Sequence, residues 1–210
     1  MGIPVLVLGE SGTGKSASLR NFNVNEVGVF NVASKPLPFK KKLQKVDAAN
    51  YERIVKSLQK NSFKTYVIDD SQYLMCFEMF SRAQEVGYNK FTEIAKNFYD
   101  LIQYIVHQTP DDCIVYLLHH TEQTDFGRVK AKTSGKMLDN QLTLEGLFSI
   151  VLLAKTDGER YYFETKTDGQ TPVKTPIDMF DSMEIDNDLK AVDTAIRGYY
   201  ELNGKGEDKK

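Results

Sequence analysis

Short apolar runs recur along the chain, and stretches of helical spacing fill the gaps between them. Ile3–Leu8 is apolar and ends at a glycine. Val27–Val32, Thr65–Ile68, Cys113–Leu118 and Leu147–Ala154 are further runs of strand length, and Arg160–Thr165 is a sixth. The first five are nearly all apolar, as strands covered on both faces by helices are. Lys15–Asn21 reads as a helix start. Asp47–Lys60 has helical spacing through Tyr51, Ile54, Val55 and Leu58. Tyr73–Val86 and Phe91–His107 read as helices, the second marked by Ile94, Phe98, Leu101, Ile102 and Ile105; Leu189–Leu202 is the last. The turn signal Thr156-Asp157-Gly158 joins the fifth and sixth strands into a hairpin. Strand and helix in alternation predict an α/β fold: a mostly parallel sheet with flanking helices, closed by a C-terminal β-hairpin and helix. One domain over residues 1–203 accommodates this, and the charged, glycine-containing tail 204–210 reads as disordered. Thr121–Glu145 breaks the rhythm. It is polar, carries Gly127 and Gly135, and reads as a long loop between core strands; such loops usually serve a function or are disordered.

Composition narrows the classes. The chain has 210 residues, 41% hydrophobic and 27% charged, which is ordinary for one globular domain. No apolar run approaches the ~20 residues that span a bilayer, so no membrane partner is expected. The chain enters a strand almost at once, with no basic stretch and cleavage site, so a cytoplasmic location is the expectation. Two cysteines, Cys76 and Cys113, exclude a disulfide scaffold and a four-cysteine zinc site. A net charge of −2 excludes a general polyanion-coating protein but leaves room for local basic patches.

The strongest chemical signal is Gly9-Glu10-Ser11-Gly12-Thr13-Gly14-Lys15-Ser16, a full match to G-x-x-x-x-G-K-[ST] between a strand and a helix start. Glycines at that spacing let the backbone curl so that its amides point inward and form an anion nest. A helix beginning near Gly14 adds its positive end. Lys15 reaches the β- and γ-phosphates, and the Ser16 hydroxyl ligates Mg²⁺. The nucleotide-contacting set read from this segment is Gly9, Glu10, Ser11, Gly12, Thr13, Gly14, Lys15, Ser16 and Ala17.

Two more strand ends carry polar side chains. The third strand ends at Asp69-Asp70. Asp69 is the expected metal-side carboxylate, and Asp70 the candidate base that polarises the attacking water. The fourth strand runs into His119-His120, and His120 is the candidate sensor of the terminal phosphate. A zinc site on this pair is disfavoured, because adjacent strand residues point to opposite faces.

Gly9–Ser16, Val67-Ile68-Asp69-Asp70 and Leu117-Leu118-His119-His120 resemble, in order and spacing, the RecA-like P-loop ATPases. The chain is similar to the compact "AAA family ATPase" proteins that phages carry beside recombination and replication genes, some of them single-strand annealing proteins of the Sak type. Asp157–Phe180, with Thr171-Pro172-Val173-Lys174-Thr175-Pro176, is similar to their C-terminal part. The resemblance implies a RecA-like core, ATP as the nucleotide and self-assembly into a ring or filament. It also implies single-stranded DNA as partner, a single-strand-binding protein as a further candidate partner, and the host-cell cytoplasm as location. Lys166, with Lys174 after it, is the candidate finger reaching a neighbour's ATP. One departure stands out: recombinases of this type carry a catalytic glutamate after the second strand, where this chain reads Phe30-Asn31-Val32-Ala33-Ser34.

The long polar segment holds Phe126, Arg128, Lys130, Lys132 and Lys136, with four basic residues against two acidic over Thr121–Met137. Cations for phosphates and a ring for base stacking suit a single-stranded DNA groove. A second basic run, Lys35, Lys40, Lys41, Lys42 and Lys45, reads as a solvated helix face or a further DNA contact. Alternative functions are weighed by their own signatures. A small-molecule kinase needs arginines clustered around the transferred phosphoryl group, and the six here are scattered. Thr165-Lys166-Thr167-Asp168 matches the guanine-reading [NT]-K-x-D pattern, but no D-x-x-G follows the third strand. An ATP-binding loading or assembly factor without DNA-stimulated turnover is the runner-up.

Overall fold

The computed structural model of the chain describes residues 1–134 and 142–202. Lys136 and the tail 204–210 lie outside the described residues. The strands are β1 (Ile3–Gly9), β2 (Gly28–Asn31), β3 (Gln44–Asp47), β4 (Thr65–Asp69), β5 (Ile114–Gln123), β6 (Val129–Ala131), β7 (Ile150–Thr156), β8 (Tyr161–Glu164) and β9 (Glu184–Asp186). The α-helices are α1 (Tyr51–Lys60), α2 (Gln72–Ser81), α3 (Asn89–Gln108) and α4 (Leu189–Tyr199). The sheet order is β3-β2-β4-β5-β1-β7-β8-β9, with β6 paired to β5 off that path. Every pairing from β3 across to β7 is parallel. β7–β8, β8–β9 and β5–β6 are antiparallel. The fold is therefore α/β, a mostly parallel mixed sheet flanked by helices, with the expected β7–β8 hairpin.

Alternation along each central strand divides the core into two layers. Leu6 and Leu8 of β1, Leu117 of β5 and Val151 of β7 point to the face covered by α1, α2 and α3. Val5, Val7, Tyr116 and Leu152 point to the other face, under Leu189, Val192 and Ile196 of α4. The apolar stripe of α3, Ile94, Phe98, Leu101, Ile102 and Ile105, is fully buried, as its spacing predicts. Caps fix the helix ends. The Asn50 side chain accepts from the Arg53 amide at the start of α1, and Asn61 ends that helix in the left-handed conformation. Asp188 caps α4 in the same way, through the amides of Lys190 and Ala191. Among the described residues no helix is long and apolar enough to cross a membrane.

Four local expectations change. The segment after Lys15 is a short 3₁₀ helix, Ser16–Asn21, which ends when Phe22 turns extended and inserts into the core. Its six residues supply less dipole than a full α-helix beginning near Gly14 would. Gln44–Asp47 pairs as the outer strand β3, although it lacks an apolar run. An edge strand keeps one side open, so its charges, including the Lys45–Asp47 ion pair, are tolerated. The basic run from Lys35 to Lys45 therefore forms no helix face; it lies in turns and this strand. The segment after His120 is also not a plain loop: β5 continues to Gln123 and folds back through β6 as a hairpin.

Candidate functional site

The sheet order places β5 between β1 and β4, so that three polar strand ends lie side by side at the C-terminal edge of the parallel strands. Gly9 is in register with His120, and Asn31 with Asp69. Ligands of open parallel sheets bind at this edge, in the crevice beyond the strands. Here a cleft of about 460 Å³ is lined by Ser11, Gly12, Gly14, Lys15, Ser16, Ala17, Lys35, Pro36, Pro38, Asp69, Asp70, His120 and Tyr161.

The Gly9–Ser16 loop is built for close approach. Gly12 and Gly14 have φ of +85° and +87°, where an L side chain is strained. A Cβ on Gly14 would stand 2.9 Å from the Tyr161 ring. Among the described residues, the Gly12 and Gly14 amides donate to no backbone acceptor outside the regular elements, which leaves them free for an anion. Lys15 folds over the loop, its Nζ donating to the carbonyls of Gly9 and Glu10, each at 2.7 Å. Burial pulls its pKa down to about 8, partly offset by the charges of Asp70 and Asp69. The ammonium thus carries an unpaid need for negative charge, which a phosphate meets. Beside Gly14 the buried Asn187 holds its Nδ2 without a hydrogen-bond partner.

Ser16 and Asp69 meet across the fold: Ser16 Oγ donates to Asp69 Oδ1 at 2.7 Å. Burial raises the Asp69 pKa, and the Ser16 hydrogen bond opposes the rise. A hydroxyl and a carboxylate side by side are the hard oxygen donors that Mg²⁺ prefers. Among the described residues no group of three or more His, Cys, Asp or Glu forms a metal cluster. A cation at Ser16 and Asp69 would therefore complete its shell from phosphate and water oxygens, as Mg²⁺ does with nucleotides.

Asp70 follows in the left-handed conformation, at φ +60°. Its two carboxylate oxygens are both engaged, Oδ1 by His120 Nε2 at 3.2 Å and Oδ2 by Lys35 Nζ at 2.7 Å. Burial alone would raise its pKa, but the bonds from His120 and Lys35 outweigh it and hold the carboxyl below the usual range. The candidate base is thus ion-paired and weakly basic. His119 points to the opposite face, as strand alternation requires, and is fully buried. Its Nε2 donates to the Lys132 carbonyl and its Nδ1 accepts from the Ser71 hydroxyl, both at 2.8 Å. Burial pulls its pKa down to about 4, so the ring is neutral and its tautomer is fixed by these partners.

Of the predicted site residues, Lys15, Ser16, Asp69, Asp70 and His120 converge on one cleft. Lys166 does not join them. β8 runs antiparallel to β7 and leaves the cleft after Tyr161, so Lys166 lies exposed toward the other end of the sheet; Lys174 pairs there with Val151. In Thr165–Asp168, the Thr165 hydroxyl donates to the Ser182 carbonyl, tying the end of β8 to the segment before β9, and Asp168 accepts from the Gln170 amide in a local turn. Phe126 stands 91% exposed at the turn of the β5–β6 hairpin, with Arg128 exposed beside it. Lys130 is engaged with Glu122 across that hairpin, while Lys132 is exposed. Lys35, grouped by sequence with the basic run to Lys45, instead lines this cleft. It lies between Ser34 and Pro36, just past the end of β2, and its place in a run of lysines was the one signal that singled it out. No protein-family model and no curated protein matches the chain.

Proposed function

We propose that this protein is a Mg²⁺-dependent ATP-binding and hydrolysing protein with a RecA-like P-loop core, acting on single-stranded DNA in phage recombination, annealing or replication, and working as a homo-oligomeric ring or filament. The observation that carries this reading is the convergence of Lys15, the Ser16–Asp69 pair, Asp70 and His120 around a glycine-built loop, with β5 inserted between β1 and β4. Lys15 exchanges two backbone carbonyls for phosphate oxygens and stabilises charge there. Ser16 and Asp69 hold the metal, and Mg²⁺ bound there supplies positive charge against the phosphates. Asp70 orients water through a carboxylate whose second oxygen stays on His120. Lys166 serves a neighbouring subunit's cleft or none, since it does not line its own. Phe126, Arg128 and Lys132 on the projecting hairpin offer a ring and cations to a DNA strand.

The ion pairing of Asp70 favours a second reading, an ATP-binding loading or assembly factor whose turnover is slow. ATP hydrolysis measured with and without single-stranded DNA, with Lys15→Ala as the blank, separates the two. DNA-stimulated turnover supports the first. Turnover that ignores DNA, or binding without turnover, favours the second. Phosphate transfer to an added nucleoside or sugar would overturn both in favour of a kinase.

A further inference from the structure

The segment after β2 folds back across the cleft and delivers Lys35 to it. Its backbone is clamped by the buried Asn31, whose Nδ2 donates to the Lys35 carbonyl at 2.7 Å and whose Oδ1 accepts from the Lys35 amide at 3.2 Å. Asn31 is itself fixed by Asp47 Oδ1 at 2.6 Å. Ser34 before it has φ +57°, and Pro36 follows with its fixed φ. The backbone at Lys35 is therefore set, while the side chain remains 59% exposed to the cleft. Its ammonium sits on Asp70 Oδ2 and 5.1 Å from the centre of the Tyr73 ring. Asp70 has a second partner, His120, that does not depend on Lys35.

We propose that Lys35 is a phosphate-contacting cation supplied by the same chain, held in reserve on Asp70 and drawn to the terminal phosphoryl group when a nucleoside triphosphate enters. This rests on the ATP reading above. A polyphosphate outcompetes one carboxylate for a mobile ammonium, because it offers more negative charge and more acceptor oxygens in the same cleft. His120 keeps Asp70 hydrogen-bonded after Lys35 leaves, so the exchange strands no buried carboxylate. The departure also frees Asp70 Oδ2 toward the cleft at the moment a water must be oriented there. Occupancy of the terminal phosphate position and release of the candidate base are thereby one event.

The test is equilibrium binding of ADP and of a non-hydrolysable ATP analogue, both with Mg²⁺, to the full chain. Lys35→Met is expected to weaken the triphosphate analogue by about tenfold or more, the scale of one charge-assisted contact, and to leave ADP within about twofold. Lys35→Arg restores most of the loss. Asp70→Asn, which suits the left-handed backbone there, removes the restraint and is expected to tighten the triphosphate analogue selectively. Equal losses for both nucleotides, or no loss for either while the wild type binds, would overturn the role of Lys35 and leave the ATP reading standing. A wild type that binds neither nucleotide overturns the ATP reading, and this proposal with it.

Discussion

Two charged networks lie at opposite ends of the parallel strands, built from similar groups to different ends. At the N-terminal end, Arg197 of α4 spends its donors on Asp193 Oδ2, the Asp112 and Lys64 carbonyls and Thr65 Oγ1. Asp193 Oδ1 accepts in turn from Tyr116 and Thr65. This network ties α4 to β4 and β5 with its polar groups satisfied by protein. At the C-terminal end, Lys15 leans on two carbonyls, Asp69 on one hydroxyl and Asp70 on Lys35 and the His120 ring, around a cleft of about 460 Å³. Two left-handed glycines line that space, and burial makes the Lys15 charge costly. A network completed by the fold holds the fold together; one that waits for a ligand marks a site.

The comparison breaks most sharply at Asp193. Asp193→Ala leaves the half-buried Arg197 guanidinium without its carboxylate and strands the Tyr116 and Thr65 hydroxyls, and is expected to cost about 3 kcal/mol of stability in urea unfolding, with nucleotide affinity per folded molecule unchanged. The mirror change at the other end is Lys15→Met. It is expected to cost at least about 100-fold in ATP affinity, or ~3 kcal/mol, without lowering the melting temperature. Burial depresses the Lys15 pKa from 10.5 to about 8, so the unfolded chain holds the extra proton in between, and the buried charge weighs against folding below that window. Removing it lifts that cost.

His119 sharpens the picture from beneath the cleft. Its folded-state pKa is about 4 against 6.5 when unfolded, so the unfolded chain binds more protons in that window. Stability should therefore fall as pH drops from 6.5 toward 4, by up to about 3 kcal/mol. His119→Gln should flatten this slope in unfolding titrations at pH 7 and 4.5. The smallest expected effect is at the hairpin that His119 anchors through Lys132. Phe126→Ala should weaken single-stranded DNA binding by ~1–3 kcal/mol and leave DNA-free ATP binding alone, measured by fluorescence anisotropy at fixed salt.

Strands covered on both faces were legible because burial leaves them apolar throughout, as in Val5–Leu8 and Ile114–Leu118. β3 was not, since an edge strand needs no apolar run, and β6 was hidden because a three-residue strand in a polar segment has no period to detect. The glycine loop and Asp69 were legible from spacing, which is set by local backbone geometry. The Asp70–His120–Lys35 cluster was legible only in parts. Asp70 and His120 stand at strand ends that sequence can align, whereas the approach of Lys35 depends on a turn clamped by Asn31 and Asp47, a contact no periodicity encodes. The helical stretch after Lys15 ends at Asn21 as its spacing suggests, but it is wound as a 3₁₀ helix, which spacing over six residues does not distinguish.

The central claim is that the C-terminal cleft takes a nucleoside triphosphate through Lys15. Calorimetric titration of the full chain with ATP, with and without Mg²⁺ and beside Lys15→Met, tests it most directly. The account predicts one site per chain that tightens with Mg²⁺ and vanishes in a folded Lys15→Met. Binding that survives Lys15→Met, or a wild type that takes up no ATP at millimolar concentration, would contradict it.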